Sequence, residues 1–315
     1  MSEIEAIIHT EGLTRLFKEH RAVNSLDLSI QPGELFGLVG PDGAGKTTTL
    51  RLLAGLLQIN EGEGRVAGFD LRKEAESIKP HIGYMAQEFS LYAELTVVEN
   101  LQFFSEIYAV DPAEIEERSE RLLSFAGLTE FKQRRAEHLS GGMKKKLALA
   151  CTLIHEPKIL LLDEPTTGVD PVSRREFWEI LAELNLAGTT IVVSTPYMDE
   201  ADRCARVGLI YAGRLVICDT PLAIRAELPG DLVEIQPEDW RTARGLIASL
   251  PGVIQVQTYG ESLHVIVDSA EERLPELKNT LEEHGLGFRS LRPAPARMEE
   301  AFISLIDRLD TEEAS

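Results

Sequence analysis

The segment Gly40-Pro41-Asp42-Gly43-Ala44-Gly45-Lys46-Thr47 fits GxxxxGK[ST] and constrains the fold more than any other stretch of the chain. Such a loop belongs between a strand and a helix. Its glycines let backbone N–H groups face phosphate oxygens, and the helix that follows adds the positive end of its dipole. The flanks read accordingly: residues 34–39 are a short apolar run of strand length, and residues 47–57 follow with helical spacing. Lys46 can reach β and γ phosphates, and the Thr47 hydroxyl suits Mg²⁺. Gly40, Asp42, Gly43, Ala44, Gly45, Lys46, Thr47 and Thr48 are therefore the candidate nucleotide-binding loop. The motif occurs once, which implies one nucleotide domain.

The rest of the chain alternates strands with helices. Strands are expected at 4–9, 26–30, 158–162, 189–194, 207–210 and 215–217, and helices across 96–155 (broken at Asp111-Pro112), 171–186 and from Met198. That alternation predicts an α/β fold with a mostly parallel sheet covered on both faces. Pro229-Gly230 marks the expected boundary between a domain at 1–228 and an accessory domain at 229–315. Beyond it the order is strand (232–235), helix (239–250), strand (253–258), strand (262–267), helix (274–284), strand (288–291). The pattern βαββαβ suggests a small ferredoxin-like α+β domain. Residues 298–309 read as a closing amphipathic helix, with a frayed tail at 310–315. At about 150 residues per domain, 315 residues agree with two domains.

A second chemical element lies in Ile159-Leu160-Leu161-Leu162-Asp163-Glu164, an aliphatic strand ending in two carboxylates. Asp163 at the mouth of the sheet would give Mg²⁺ an oxygen donor. Glu164, pointing the other way along the strand, would polarise a water for in-line attack on a γ-phosphate. About twenty residues earlier, Leu139-Ser140-Gly141-Gly142-Met143 heads a helix, an anion site with little side-chain obstruction.

These elements, with Gln87 in Gly83-Tyr84-Met85-Ala86-Gln87 and Asp170 in Gly168-Val169-Asp170-Pro171, resemble the nucleotide-binding subunit of ABC transporters over roughly residues 3–228. The tail resembles the accessory domain on ATPase subunits of multidrug and ABC-2-type exporters. The resemblance implies the ABC-type fold, with an antiparallel β part and a helical subdomain beside the main sheet. It further implies an ATPase that binds ATP and Mg²⁺ and dimerises head to tail, with two ATPs between the phosphate loop of one subunit and the signature of the other. Ser140, Gly141 and Gly142 would act on the partner's γ-phosphate. Gln87 would touch Mg²⁺ or the attacking water, Thr47 and Asp163 would complete the metal shell, and Glu164 would serve as base. Phe17 matches the aromatic that stacks on adenine, with ordinary packing as its alternative. Asp170 would shape the dimer interface or simply cap its helix. The region after Gln87 would dock separate membrane permease subunits.

One departure is sharp. The family usually places a γ-phosphate-contacting histidine where Ser194-Thr195-Pro196-Tyr197 puts Pro196, which has neither a side-chain donor nor a backbone N–H. This implies a weakened site, either in a heterodimer whose second ATPase subunit is complete or in a slow homodimer. The competing reading is a nucleotide-gated regulatory subunit with little hydrolysis of its own.

Composition sets the remaining bounds. With 32 basic and 52 acidic residues the formal charge is −20, which argues against a nucleic-acid partner. No apolar run reaches the roughly 18 residues of a spanning helix, and the acidic start lacks a signal-peptide pattern. A cytoplasmic chain, peripheral on the inner face of the membrane, is expected. Cys151, Cys204 and Cys218 form no CxxC pair and read as reduced core residues. Lys144-Lys145-Lys146 reads as a solvated helix face.

Overall fold

The structure is a computed structural model that describes residues 5–88 and 91–313, with side chains described through 309. The start of the expected strand at 4–9, part of the region expected to dock a permease and the final residues of the expected tail lie outside the described residues. The chain divides into two compact units, Met1–Thr220 and Pro221–Ser315.

In the first unit β1 (Ile8–Phe17) and β2 (His20–Ile30) form a hairpin, followed by β3 (Leu35–Val39) and α1 (Lys46–Leu53). Next come β4 (Glu61–Val66), β5 (Phe69–Asp70), α2 (Ala75–Ile78) and β6 (Ile82–Met85). Three helices follow, α3 (Val97–Ile107), α4 (Pro112–Phe125) and α5 (Gly141–Leu153). The unit ends with β7 (Ile159–Asp163), α6 (Pro171–Leu186), β8 (Thr190–Thr195), α7 (Met198–Ala201), β9 (Arg206–Tyr211) and β10 (Arg214–Asp219).

The main sheet has the order β10-β9-β3-β8-β7-β6, parallel throughout except for β10 against β9. Its central strands β3, β8 and β7 are buried at every residue, as expected of apolar-rich strands covered on both faces. A separate antiparallel sheet, β2-β1-β4-β5, flanks it. Helices α3, α4 and α5 pack on one another as a helical group. Their starts follow local chemistry. Thr96 and Glu99 close a capping box on α3. Asp111 caps α4 with Pro112 in its first turn, so the Asp-Pro pair begins a helix there. Adjacent strands β3, β8, β7 and β6 all present their carboxyl ends on one edge of the sheet, the usual place for a ligand site in such folds.

The second unit contains α8 (Pro221–Ala226), β11 (Asp231–Pro237), α9 (Trp240–Ile247), β12 (Val253–Tyr259), β13 (Ser262–Val267), α10 (Ala270–Glu283), β14 (Phe288–Ala294) and α11 (Met298–Glu313). Its sheet runs β12-β13-β11-β14, antiparallel throughout. One face, with Val233, Ile235, Leu263, Val265 and Val267, packs on Ala243, Ile247, Leu277 and Leu281 of α9 and α10. From the other face His264 Nδ1 meets Glu300 Oε1 of α11 at 2.6 Å. The division falls before α8 rather than at Pro229-Gly230, because α8 packs against α11. The closing helix runs on to Glu313, past the point where fraying is expected. Among the described residues, no helix is long and apolar enough to cross a membrane.

Candidate active site

The carboxyl ends of the four neighbouring strands border one cleft of about 760 Å³ that gathers many, though not all, of the sequence-predicted residues. Its walls include Asp42, Gly43, Gly45, Lys46, Thr47 and Thr48 of the loop after β3, together with Gln87 from beyond β6 and Glu164 from beyond β7. Phe17, across its hairpin from His20, also lines it and is 43% exposed, with the Arg15 guanidinium 4.7 Å from its ring centre. Gly40 and Ala44 lie off the cleft wall and shape the loop from beneath. The Gly40 carbonyl accepts from Lys46 Nζ at 2.9 Å, and the Ala44 carbonyl accepts from Gly213 N at 2.9 Å. Gly45 begins α1 at φ +107°, and a Cβ there would stand 2.4 Å from the Ala22 carbonyl oxygen. Only glycine meets both demands.

The polar groups form one connected network. Thr47 Oγ1 donates to Asp163 Oδ1 at 3.0 Å, and Ser194 Oγ donates to the same oxygen at 2.7 Å. Tyr84 OH reaches Asp163 Oδ2 at 3.5 Å; burial, and secondarily the nearby carboxylate, raises the Tyr84 phenol above its ordinary range despite Arg51. Lys46 Nζ also donates to the Pro41 carbonyl at 3.0 Å and stands 3.2 Å from Glu164 Oε1, with both side chains buried. Glu164 Oε2 accepts from Gln87 Nε2 at 2.9 Å and from Thr167 Oγ1 at 3.3 Å. Strand alternation predicts that Asp163 and Glu164 point apart. They join the same network because Glu164 lies past the end of β7 with φ +47°, and its N–H is held by Ser194 Oγ at 3.1 Å.

The donor set fits a Mg²⁺-nucleotide. Mg²⁺ takes hard oxygen ligands, commonly one or two carboxylates completed by phosphate and water. Thr47 and Asp163 offer adjoining oxygens, whereas no group of three or more His, Cys, Asp or Glu suited to an all-protein metal site occurs among the described residues.

Ser140, Gly141 and Gly142 are not on this cleft. They begin α5, where Ser140 Oγ accepts from Met143 N at 3.2 Å. Gly142 lies so close to α6 that a Cβ would be 2.6 Å from Ser173 Cβ. Asp170 caps α6 by accepting from Val172 N and Ser173 N, and those hydrogen bonds hold its carboxyl below the usual range. Pro196 lines the cleft beside Tyr197. The turn bearing it is anchored by Glu200, fully buried, which accepts from Thr195 Oγ1 at 2.6 Å and Thr166 Oγ1 at 2.7 Å and pairs with Arg174 Nε at 2.8 Å.

Sequence reasoning missed several members of the network. Ser194 is the most consequential, since it holds both Asp163 and the Glu164 N–H; a hydroxyl at the end of an apolar strand beside the acidic one was the available signal. Lys145 is 3% exposed and donates to the Gln87 carbonyl at 2.9 Å, while Lys146 pairs with Glu176 at 2.6 Å. The expected solvated lysine face is thus corrected: the helix turns Lys145 inward, and burial lowers its amine below the ordinary range against the pull of Asp163 and Glu164. Cys151 and Cys204 are buried, but Cys218 is only half-buried.

Known proteins resemble this chain in sequence and fold. Residues 23–167 match the family model described as ABC transporter. The chain is 43% identical over 227 residues to the probable multidrug ABC transporter ATP-binding protein YbhF of Escherichia coli, covering 72% of this chain and 39% of that one. It is 36% identical over 305 residues to the Nod factor export ATP-binding protein I of Cupriavidus metallidurans, covering 96% and 98%. Against the daunorubicin/doxorubicin resistance ATP-binding protein DrrA of Streptomyces peucetius the figures are 33% over 317 residues, covering 98% and 96%. The chain thus spans about two fifths of YbhF and nearly the whole of the other two. Among solved structures, the dimeric post-hydrolysis state of the ATP-binding cassette MJ0796 bound to ADP and Pi superposes with TM-score 0.62 at 27% identity, covering 68% of this chain and 98% of that one. The corresponding values for cbiO1 of Clostridium perfringens, part of the complex cbiONQ, are 0.65 and 26%, covering 78% and 96%.

Proposed function

The chain belongs to the ATP-binding proteins of ABC transporters, and from that premise we propose that it binds Mg-ATP and hydrolyses it to drive export through separate membrane permease subunits on the cytoplasmic face of the membrane. The observation that carries the reading is the convergence of Lys46, Thr47, Glu164 and Gln87 on one cleft, with the buried Asp163 held against Thr47 just behind its wall. Lys46 and the loop N–H groups hold the β and γ phosphates. Thr47 and Asp163 would hold Mg²⁺, with Gln87 adjacent; the ion would neutralise phosphate charge and orient the chain of phosphates. Glu164, oriented by Gln87 and Thr167, takes the proton of the attacking water. Phe17 gives adenine an aromatic face. Ser140, Gly141 and Gly142, away from this cleft, serve the ATP of a second ATPase subunit in a head-to-tail pair. The second unit is ferredoxin-like, a reading supported by its βαββαβ order and by β14-β11-β13-β12 adjacency.

Pro196 on the cleft wall favours an attenuated site, with a histidine-bearing partner ATPase as the fuller motor. It also supports the second reading, a nucleotide-gated subunit with little turnover, against which the intact Glu164 network stands. Calorimetric titration with Mg-ATP tests the binding core. Saturable binding abolished in Lys46→Ala is expected, and wild-type affinity in that variant overturns it. Affinity purification from the native host tests the assembly: a permease together with a histidine-bearing ATPase is expected, and a permease with this chain as its sole ATPase contradicts the heterodimer.

A further inference from the structure

Lys145 makes a connection that the proposed chemistry does not use. It lies one turn into α5, whose first turn carries Ser140, Gly141 and Gly142. That first turn is seated against α6, where Gly142 leaves no space beside Ser173. From the rigid helix Lys145 Nζ reaches the backbone carbonyl of Gln87 at 2.9 Å, and the side-chain amide of the same Gln87 donates to Glu164 Oε2 at 2.9 Å. Glu164 Oε1 in turn stands 3.2 Å from Lys46 Nζ. A continuous polar path therefore runs from the helix that the signature heads to the acid at the cleft. Lys145 is buried and does not line the cleft, so its amine holds the Gln87 backbone and does not reach a nucleotide.

We propose that Lys145 is a positioning residue: it fixes the Gln87 backbone so that the amide reaches Glu164, and it transmits displacement of the signature helix to this chain's own catalytic carboxylate. The inference rests on the reading of Glu164 and Gln87 as catalytic residues. Under the head-to-tail arrangement proposed above, engagement of the partner's ATP by Ser140–Gly142 would shift α5, and Lys145 would carry that shift to Gln87. Charged donors make the stronger hydrogen bonds, so losing this one has a measurable effect.

The test compares wild type with Lys145→Met, Lys145→Arg, Gln87→Ala and the Lys145→Met/Gln87→Ala double variant in the full chain. Lys145→Met is expected to lower kcat about tenfold with KM for Mg-ATP within about twofold of wild type, and Lys145→Arg to recover most of the loss. In the Gln87→Ala background the methionine change is expected to have no further effect, because the route to Glu164 is already cut. Hydrogen exchange measured without nucleotide is expected to rise at residues 85–88 in Lys145→Met. Unchanged kcat and exchange in that variant, or losses that multiply in the double variant, overturn the inference while leaving the ATPase reading intact. Wild-type turnover equal to that of Glu164→Gln overturns the ATPase reading itself, and the exchange measurement then still decides whether Lys145 holds the Gln87 segment. Lys145→Gln carries the same expectations and stands in if the methionine variant does not fold.

Discussion

Replacing Pro196 by histidine should raise turnover. The residue is half-buried on the cleft wall, next to Thr195, whose hydroxyl accepts from Tyr197 N at 3.1 Å and donates to Glu200 at 2.6 Å. Glu200, also held by Thr166 and Arg174, fixes the turn before any ligand contact is made. A donor introduced at 196 therefore enters a preset backbone and needs little reorganisation. One preorganised transition-state donor is worth about 10²–10³ in rate. Because position 196 is open to solvent on one side, the lower end applies, about 10²-fold in kcat, or ~2.7 kcal/mol. The assay is steady-state phosphate release from Mg-ATP, with Pro196→His measured beside Pro196→Ala. The alanine variant restores the backbone N–H without the imidazole and should gain far less. A folded Pro196→His protein with wild-type kcat would refute the reasoning, as would a gain that persists undiminished in a Glu164→Gln background.

Other consequences are more local. Ser194→Ala removes a buried donor to Asp163 and one acceptor of the Glu164 N–H, so it should cost about 1.5–3 kcal/mol in denaturant unfolding and lower kcat as well. A stability loss below about 0.5 kcal/mol would contradict that accounting. Gly142→Ala should destabilise the chain by about 1–3 kcal/mol through overlap with Ser173, and Ser173→Gly added to it should restore most of the loss in melting temperature. In the second unit, burial, the largest influence on Glu300, disfavours its charge, yet hydrogen bonds from the His264 ring and backbone N–H groups hold its carboxyl below the ordinary value. The stabilisation linked to that lowered value is therefore full above about pH 4.3 and is lost as pH falls through the folded-state value. Thermal unfolding of wild type and Glu300→Gln between pH 3 and 6 should show a stability gap that narrows on acidification; a constant gap would exclude the linkage.

Much of the site is legible in the sequence because its chemistry is local. The phosphate loop carries its own turn geometry, and Asp163 is fixed at a strand end by the aliphatic run before it. The residues that join these pieces are less visible. Ser194 acts across the β8-β7 pairing and Lys145 from α5 onto the segment after β6, and no single-sequence pattern states which elements are neighbours. Lys145 also sits within three lysines, where composition favours a solvated face, and only the packing of α5 turns it inward. The φ of Glu164 likewise depends on tertiary contacts. In the fold, the strand Glu61–Val66 escaped the pattern because its sequence EGEGRV has glycines and charges where alternation calls for apolar residues. Its stability comes from pairing with β1 instead. Helix α8 escapes the pattern because it has only six residues, opening on Pro221, ahead of the Pro229-Gly230 turn that dominates the local signal.

The most direct test of the central claim is steady-state Mg-ATP turnover by the purified chain, with Glu164→Gln as the blank. The account predicts measurable turnover that disappears in Glu164→Gln while ATP binding remains. At an attenuated site the rate should be roughly 0.01–0.1 s⁻¹, two to three orders below a median enzyme. Turnover of several per second, lost in the blank, would keep the catalytic assignment but contradict attenuation by Pro196. Turnover equal in the two proteins, with ATP still bound, would contradict hydrolysis at this site and favour the nucleotide-gated subunit.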